Sequence, residues 1–162
     1  MPKAKSRKSA ASKSAKRAKP DAPMLTEAER RVVMIQYEKE NDPEGADALV
    51  VEYLKFMQLK MREGEKGSDE KKCCAPSTRI DEMWHAHILA TRAYFAFCAR
   101  HHRREYLHHD PTLTDVPARY RATWARYSEL FGHAPKDRSI WPPPREEEEE
   151  EESDECGDPG CG

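Results

Sequence analysis

Four residues have the types and spacing for metal chemistry: Asp81, His85 and the adjacent pair His108 and His109. Asp81 and His85 are four positions apart, so on a helix they lie one turn apart, where a carboxylate and an imidazole meet or share a metal ion. His108 or His109 can add a ligand from the following loop, and Asp110 another. Such a mixed nitrogen and oxygen set suits zinc or iron. The same residues also suit a hydrogen-bonded polar network, which is the interpretation we favour.

Two further residues of this segment are less suited to a metal site. His87 is two positions from His85, so on a helix the two side chains point about 200° apart and cannot chelate one ion. We expect His87 to be a hydrogen-bonded core histidine. Cys98 is thirteen helical residues from His85, which is roughly 20 Å. Because the chain also has no Gly-rich phosphate loop, nucleophile elbow or zinc-protease helix, we assign no catalytic residue.

The element that must position Asp81 and His85 is a helix over about Arg79 to Ala99, capped by Ser77 or Thr78 after Pro76. Its apolar residues recur at helical spacing and predict one broad buried stripe. The members of this stripe are Ile80, Trp84, His87, Ile88, Thr91, Tyr94, Phe95 and Cys98.

Three more helices are predicted around it. Thr26 to Glu40 opens with the capping-box pattern Thr26-x-x-Glu29. Gly45 to Arg62 carries apolar residues at spacings of three and four. Pro117 to Phe131 has proline near its start and Gly132 after its end. No segment indicates a strand, so we predict an all-α domain, a small bundle of about four helices with an aromatic stripe on the fourth.

The ordered motifs of the second half resemble the glycine-rich domain-containing protein-like family over about residues 76–142. That resemblance implies a helical domain of unknown biochemical function, found beside different partner segments in larger plant proteins. This chain lacks the glycine-rich region of those proteins. The motifs that carry the resemblance are Ile80-Asp81-Glu82-Met83-Trp84-His85-Ala86-His87-Ile88-Leu89, then Thr91, Tyr94 and Cys98, then His108-His109-Asp110-Pro111, and then Tyr120, Thr123, Tyr127 and Phe131-Gly132.

The formal net charge of −2 hides two opposed ends. Residues 1–20 carry eight basic and no acidic residues, whereas residues 146–162 carry ten acidic and no basic ones. Basic residues spaced by Ala and Ser resemble arms that contact phosphates without reading bases, and they also suit a nuclear address. We therefore predict non-specific nucleic-acid contact through a basic arm, made by Lys3, Lys5, Arg7, Lys8, Lys13, Lys16, Arg17 and Lys19.

The domain boundaries follow from composition. Residues 1–23 form a disordered arm, residues 24–142 the helical domain, and residues 143–162 a disordered acidic tail that ends in the Cys156-x4-Cys161 segment. The chain has a mean hydropathy of −1.00 and no run near the roughly 20 apolar residues of a membrane span. We expect an intracellular, non-enzymatic interaction module that contacts nucleic acid and possesses a protein-binding surface. The alternative is a metal-binding protein or metal-dependent enzyme that uses the Asp/His cluster.

Overall fold

The computed structural model describes residues 22–62, 74–102, 106–112 and 114–145. These residues form helices and no strand, which confirms the all-α prediction. Of the predicted tails, residues 1–21 of the arm and residues 146–162 of the acidic tail lie outside the described residues. The described residues form five helices, which are α1 Glu27–Tyr37, α2 Ala46–Met61, α3 Thr78–Leu89, α4 Thr91–His101 and α5 Val116–Phe131.

Local sequence signals set several helix ends. The capping box of α1 forms as predicted: the Glu29 backbone N–H donates to Thr26 Oγ1, and the Thr26 N–H donates to Glu29 Oε2. Ser77 Oγ caps α3 by accepting from the Ile80 N–H. At the end of α5, Gly132 takes a left-handed conformation with φ of 77°, which glycine adopts without strain. These signals act over three or four residues, so the sequence predicts them directly.

The prediction of one continuous helix over Arg79 to Ala99 is wrong. Ala90, with φ of −78° and ψ of 56°, ends α3 and precedes α4, so the described part of the chain has two helices where one was predicted. Beyond the break the side-chain directions are reset at Ala90; of the predicted stripe, Tyr94 and Cys98 are still buried. Thr91 and Phe95, which we expected to be buried, are exposed. No proline or glycine marks this break, so tertiary packing must stabilise it.

The core lies around α3. Helices α1 and α2 both pack on α3, and α5 packs on α2. Of the aromatic stripe predicted for α5, Tyr127 is fully buried, whereas Tyr120, Trp124 and Phe131 are half-buried against the core. The segment after α5 adds two fully buried residues, Ile140 and Trp141. Among the described residues, no helix is long and apolar enough to cross a bilayer.

Candidate metal centre

The structure brings Asp81, His85 and His109 together. Asp81 lies in the first turn of α3, and His85 follows one turn later. His109 Nε2 donates to Asp81 Oδ1 at 2.7 Å, and His85 Nδ1 lies 3.8 Å from Asp81 Oδ2. One ligand atom of each side chain lies within 4.8 Å of the others. A carboxylate and two imidazoles therefore converge on one small volume, and we call these three residues the Asp/His cluster.

The Asp/His cluster is open to solvent on one side. The side chain of His109 is 19% exposed and that of Asp81 32%, whereas that of His85 is 54% exposed. The two imidazole rings lie beside each other, with centroids 4.5 Å apart. A small ion or molecule can thus approach the three ligand atoms from the side of His85 without any movement of the core.

A polar chain holds the loop that carries His109. The Tyr94 hydroxyl of α4 donates to the backbone carbonyl of Leu107, two residues before His109. Trp84 Nε1 of α3 donates to the Tyr94 oxygen at 3.3 Å, and the Trp84 ring packs edge-on against His109 at 4.8 Å. Burial raises the pKa of Tyr94, so its hydroxyl keeps its proton and remains a donor. The ring position of His109 is therefore set by two helices at once.

The sequence does not predict this polar chain. Trp84 and Tyr94 are ten residues apart, which on one continuous helix means a rise of about 15 Å, too far for a hydrogen bond. The break at Ala90 brings the two side chains within hydrogen-bond distance. The only signal in the sequence was the presence of two aromatic residues with polar tips in a segment otherwise suited to a core.

The other candidate ligands lie outside the Asp/His cluster. His108 is exposed and does not join the three converging side chains. Asp110 Oδ1 accepts from both the backbone N–H and the hydroxyl of Thr112, at 2.9 Å and 2.6 Å. These two hydrogen bonds hold the pKa of Asp110 below its ordinary value and stabilise the turn. The eight basic residues of the predicted arm lie outside the described residues.

His87 is a core residue, as its position on the apolar stripe predicts. It is fully buried, and Tyr53 lies with its hydroxyl 2.8 Å from His87 Nδ1. The other ring nitrogen, Nε2, makes no hydrogen bond of normal geometry to any residue that the structure describes, so only one of the two ring nitrogens has the hydrogen bond that we expected. Burial lowers the pKa of His87 to about 4, so the ring is neutral near pH 7. Cys98 is also buried, and burial raises the pKa of its thiol.

A second polar cluster joins the C-terminal segment to the core. Glu52 of α2 accepts at Oε2 from the Tyr127 hydroxyl and from Trp141 Nε1, each at 2.9 Å. Lys55 donates to Glu52 Oε1 at 2.7 Å and to the Tyr127 oxygen at 2.9 Å. All of these groups are satisfied by one another, so the cluster is structural and ties three parts of the chain together.

Comparison with known proteins gives a family and no function. No curated protein matches the chain, and no solved structure matches it. A family model described as UCP032817-like matches residues 25–129. This match supports the predicted membership of an uncharacterised family. It does not support the glycine-rich domain-containing protein-like family as that family. Because the match spans well over half of the 162 residues, the chain belongs to the UCP032817-like family, which is uncharacterised.

Proposed function

We propose that this protein binds a divalent transition-metal ion, zinc or iron, through Asp81, His85 and His109. The observation that carries the proposal is the convergence of their three ligand atoms within 4.8 Å. Two ligand atoms on one tetrahedral zinc ion are roughly 3.4 Å apart, given metal–ligand bonds of about 2.1 Å. The distance from His109 Nε2 to Asp81 Oδ1 is 2.7 Å and that from His85 Nδ1 to the other carboxylate oxygen, Oδ2, is 3.8 Å, so each histidine lies within about 1 Å of that separation from one oxygen of Asp81. Small side-chain rotations are therefore enough to admit an ion.

The donor set supports a site with open coordination positions. Two imidazoles and one carboxylate are the protein ligands of several catalytic zinc sites and of non-haem iron(II) sites, in which solvent or substrate fills the remaining positions. The exposure of His85 leaves room for such a ligand here. The Trp84 and Tyr94 contacts supply the fixed orientation that metal-binding histidines need. We assign no reaction to the site.

The test uses two adjacent histidines as a matched pair. Full-length protein without an affinity tag is stripped of metal, loaded with Zn²⁺ or, without oxygen, with Fe²⁺, dialysed, and analysed for bound metal by mass spectrometry. We expect about one ion per chain for the native protein and for His108→Ala, and a loss of that ion in His109→Ala and in the Asp81→Ala/His85→Ala double variant. Thermal unfolding with and without metal gives a second readout, because a ligand that binds only the folded state raises Tm.

Two results would overturn the metal proposal. If the native protein takes up no metal, the Asp/His cluster is the hydrogen-bonded polar network that we favoured from the sequence. If His109→Ala retains as much metal as His108→Ala, the ion is held elsewhere, for example by the cysteines of the C-terminal segment.

We also propose that the basic arm contacts nucleic acid without base specificity. The sequence feature that favours this second role is the run of eight Lys and Arg residues with no acidic residue in positions 1–20. We expect weak binding to DNA or RNA that falls steeply between low and high salt, because each neutralised phosphate releases counterions. Fluorescence anisotropy would detect it. Equal binding by a chain that lacks residues 1–20 would remove this role.

A further inference from the structure

Helix α1 has a second apolar face that nothing in the described chain covers. Its inner face buries Glu29, Val33 and Tyr37. On the outer side Ala28, Val32 and Ile35 follow at spacings of four and three, so they fall within about 60° of one another. Val32 is 49% exposed and Ile35 52%. We call Ala28, Val32 and Ile35 the α1 stripe.

The α1 stripe borders a shallow groove. The groove has a volume of about 490 Å³ and lies between α1 and the junction of α3 with α4. Leu89, which is 60% exposed, forms its far wall. Ala90, Ala93 and Ala96 also line it, and such small side chains allow another backbone to approach closely. Glu29, Thr91 and Arg92 complete the lining, so the groove joins the α1 stripe to a mainly apolar surface with a polar rim.

Two opposite charges flank the α1 stripe on one side. Arg31 and Glu38 are both exposed, and neither forms an ion pair with any residue that the structure describes. They are seven residues apart, so they occupy the same position in successive heptads. In the heptad notation abcdefg, Val32 occupies position a, and Ala28 and Ile35 occupy position d. Arg31 and Glu38 then both occupy position g. Along this flank, the α1 stripe therefore has a positive charge towards its N-terminal end and a negative charge at its C-terminal end.

We propose that the α1 stripe is the interface of a homodimer in which two copies of α1 pack antiparallel about a two-fold axis. Antiparallel packing sets a opposite d, so Val32 contacts Ile35 of the partner subunit, and the reverse contact follows by symmetry. The same register sets g opposite g, so Arg31 meets Glu38 of the partner subunit, again twice. A surface that is self-complementary in both shape and charge selects a second copy of this chain as its occupant.

Other registers lack this charge match. In a parallel pair the g position faces e of the next heptad, which would set Arg31 opposite the uncharged Gln36. The interface is also small: α1 has 11 residues and is about 16 Å long. A standard stable interface buries about 800 Å² per partner, more than three exposed apolar side chains and a groove wall supply. The dimer is therefore weak and in exchange with the monomer, and its formation does not depend on metal at the Asp/His cluster.

Charge reversal in the full-length chain tests the dimer. Sedimentation velocity over a wide range of protein concentration, in the presence of a chelator and moderate salt, measures the dissociation constant. We expect Arg31→Glu and Glu38→Arg each to weaken the dimer about tenfold, because both symmetric ion pairs become like-charge pairs. The double variant Arg31→Glu/Glu38→Arg should restore the native value to within about threefold, since it recreates both pairs with exchanged signs.

An apolar pair of variants completes the experiment. Ile35→Ser should weaken the dimer, whereas Val51→Ser should not, although Val51 of α2 is also 52% exposed. A native chain that stays monomeric at all concentrations overturns the proposal. So does an association that Ile35→Ser leaves unchanged, or one that the double charge exchange fails to restore; either result would assign self-association to another surface, such as the oppositely charged ends of the chain.

Discussion

Trp141 gives the sharpest test of how the core is built, because it lies ten residues after the last helix and yet is fully buried. Its ring centroid lies 5.7 Å from that of Tyr127, 6.2 Å from that of Tyr120 and 6.5 Å from that of Phe56. Replacing such a residue by Ala removes these contacts and leaves a cavity, at a cost of about 3–5 kcal/mol. Since a domain is stable by only about 5–15 kcal/mol, we expect Trp141→Ala to lose a large part of its free energy of unfolding.

A milder variant separates the hydrogen bond from the packing. Trp141→Phe keeps much of the apolar volume but loses the Nε1–H that donates to Glu52. A hydrogen bond to a charged group is worth about 1.5–3 kcal/mol. Glu52 keeps its bonds from Tyr127 and Lys55, so the lower end of that range applies. We expect Trp141→Phe to lower the free energy of unfolding by about 2 kcal/mol, including the smaller ring.

The assay is urea unfolding followed by circular dichroism at 222 nm, which does not depend on the tryptophan that is removed. Trp124→Phe serves as a reference for the same substitution at a half-buried tryptophan. Trp124 Nε1 makes no hydrogen bond of normal geometry to any described residue, although Tyr120 and Arg138 interact with its side chain. A cycle with Glu52→Gln should give a coupling of about 1 kcal/mol between positions 52 and 141. If Trp141→Phe costs no more than Trp124→Phe, or if the coupling is near zero, the hydrogen bond to Glu52 does not stabilise the C-terminal segment.

Three smaller predictions concern stability. Although burial raises the pKa of Glu29, hydrogen bonds from Arg100 and Thr26 outweigh it and hold the pKa below its ordinary value. The stability that Glu29 contributes is therefore full above its unfolded pKa near 4.5 and is lost as pH falls through the lower folded pKa. The difference in free energy of unfolding between the native protein and Glu29→Gln should shrink from roughly pH 5 to pH 3. A difference that stays constant over this range would contradict the prediction. Thr26→Ala should cost about 1 kcal/mol in urea unfolding, because the α1 capping box is lost, and a cost below about 0.3 kcal/mol would count against the box. Gly132→Ala should cost about 1 kcal/mol because its φ is 77° although no atom crowds the position, whereas a stabilised variant would show that the backbone there is relaxed.

The parts of the fold that the sequence predicts are those governed by neighbours in the chain. The Thr26–Glu29 box, the caps at Ser77 and Gly132, and the face shared by Asp81 and His85 all depend on spacings of three or four residues. Periodicity likewise predicts the helical segments, apart from the break at Ala90, and predicts that no strand forms among the described residues. Each of these features follows from backbone geometry alone, which is the same in every chain.

The parts that the sequence does not predict depend on contacts between distant residues. Nothing in the residues around Ala90 indicates a break, since Ala favours a helix and Thr91 only weakly opposes one. Trp141 follows the end of α5 by ten residues, and its burial depends on Glu52 and Tyr127, which are 89 and 14 residues away in the sequence. Such pairings gain their free energy only when the whole core has assembled, so no window of local sequence contains them.

The choice between His108 and His109 follows from the same long-range contacts. Adjacent residues in an extended loop point in nearly opposite directions, so only one of the two can face Asp81, and the spacing in the sequence does not say which. The hydrogen bond from Tyr94 to the Leu107 carbonyl fixes which of the two histidines faces Asp81. Tyr94 makes this bond while it also accepts from Trp84, which requires the break in the chain at Ala90. The break that the periodicity fails to predict is therefore what completes the candidate metal centre. An uninterrupted helix would keep Asp81 and His85 on one face but would remove the support that orients His109.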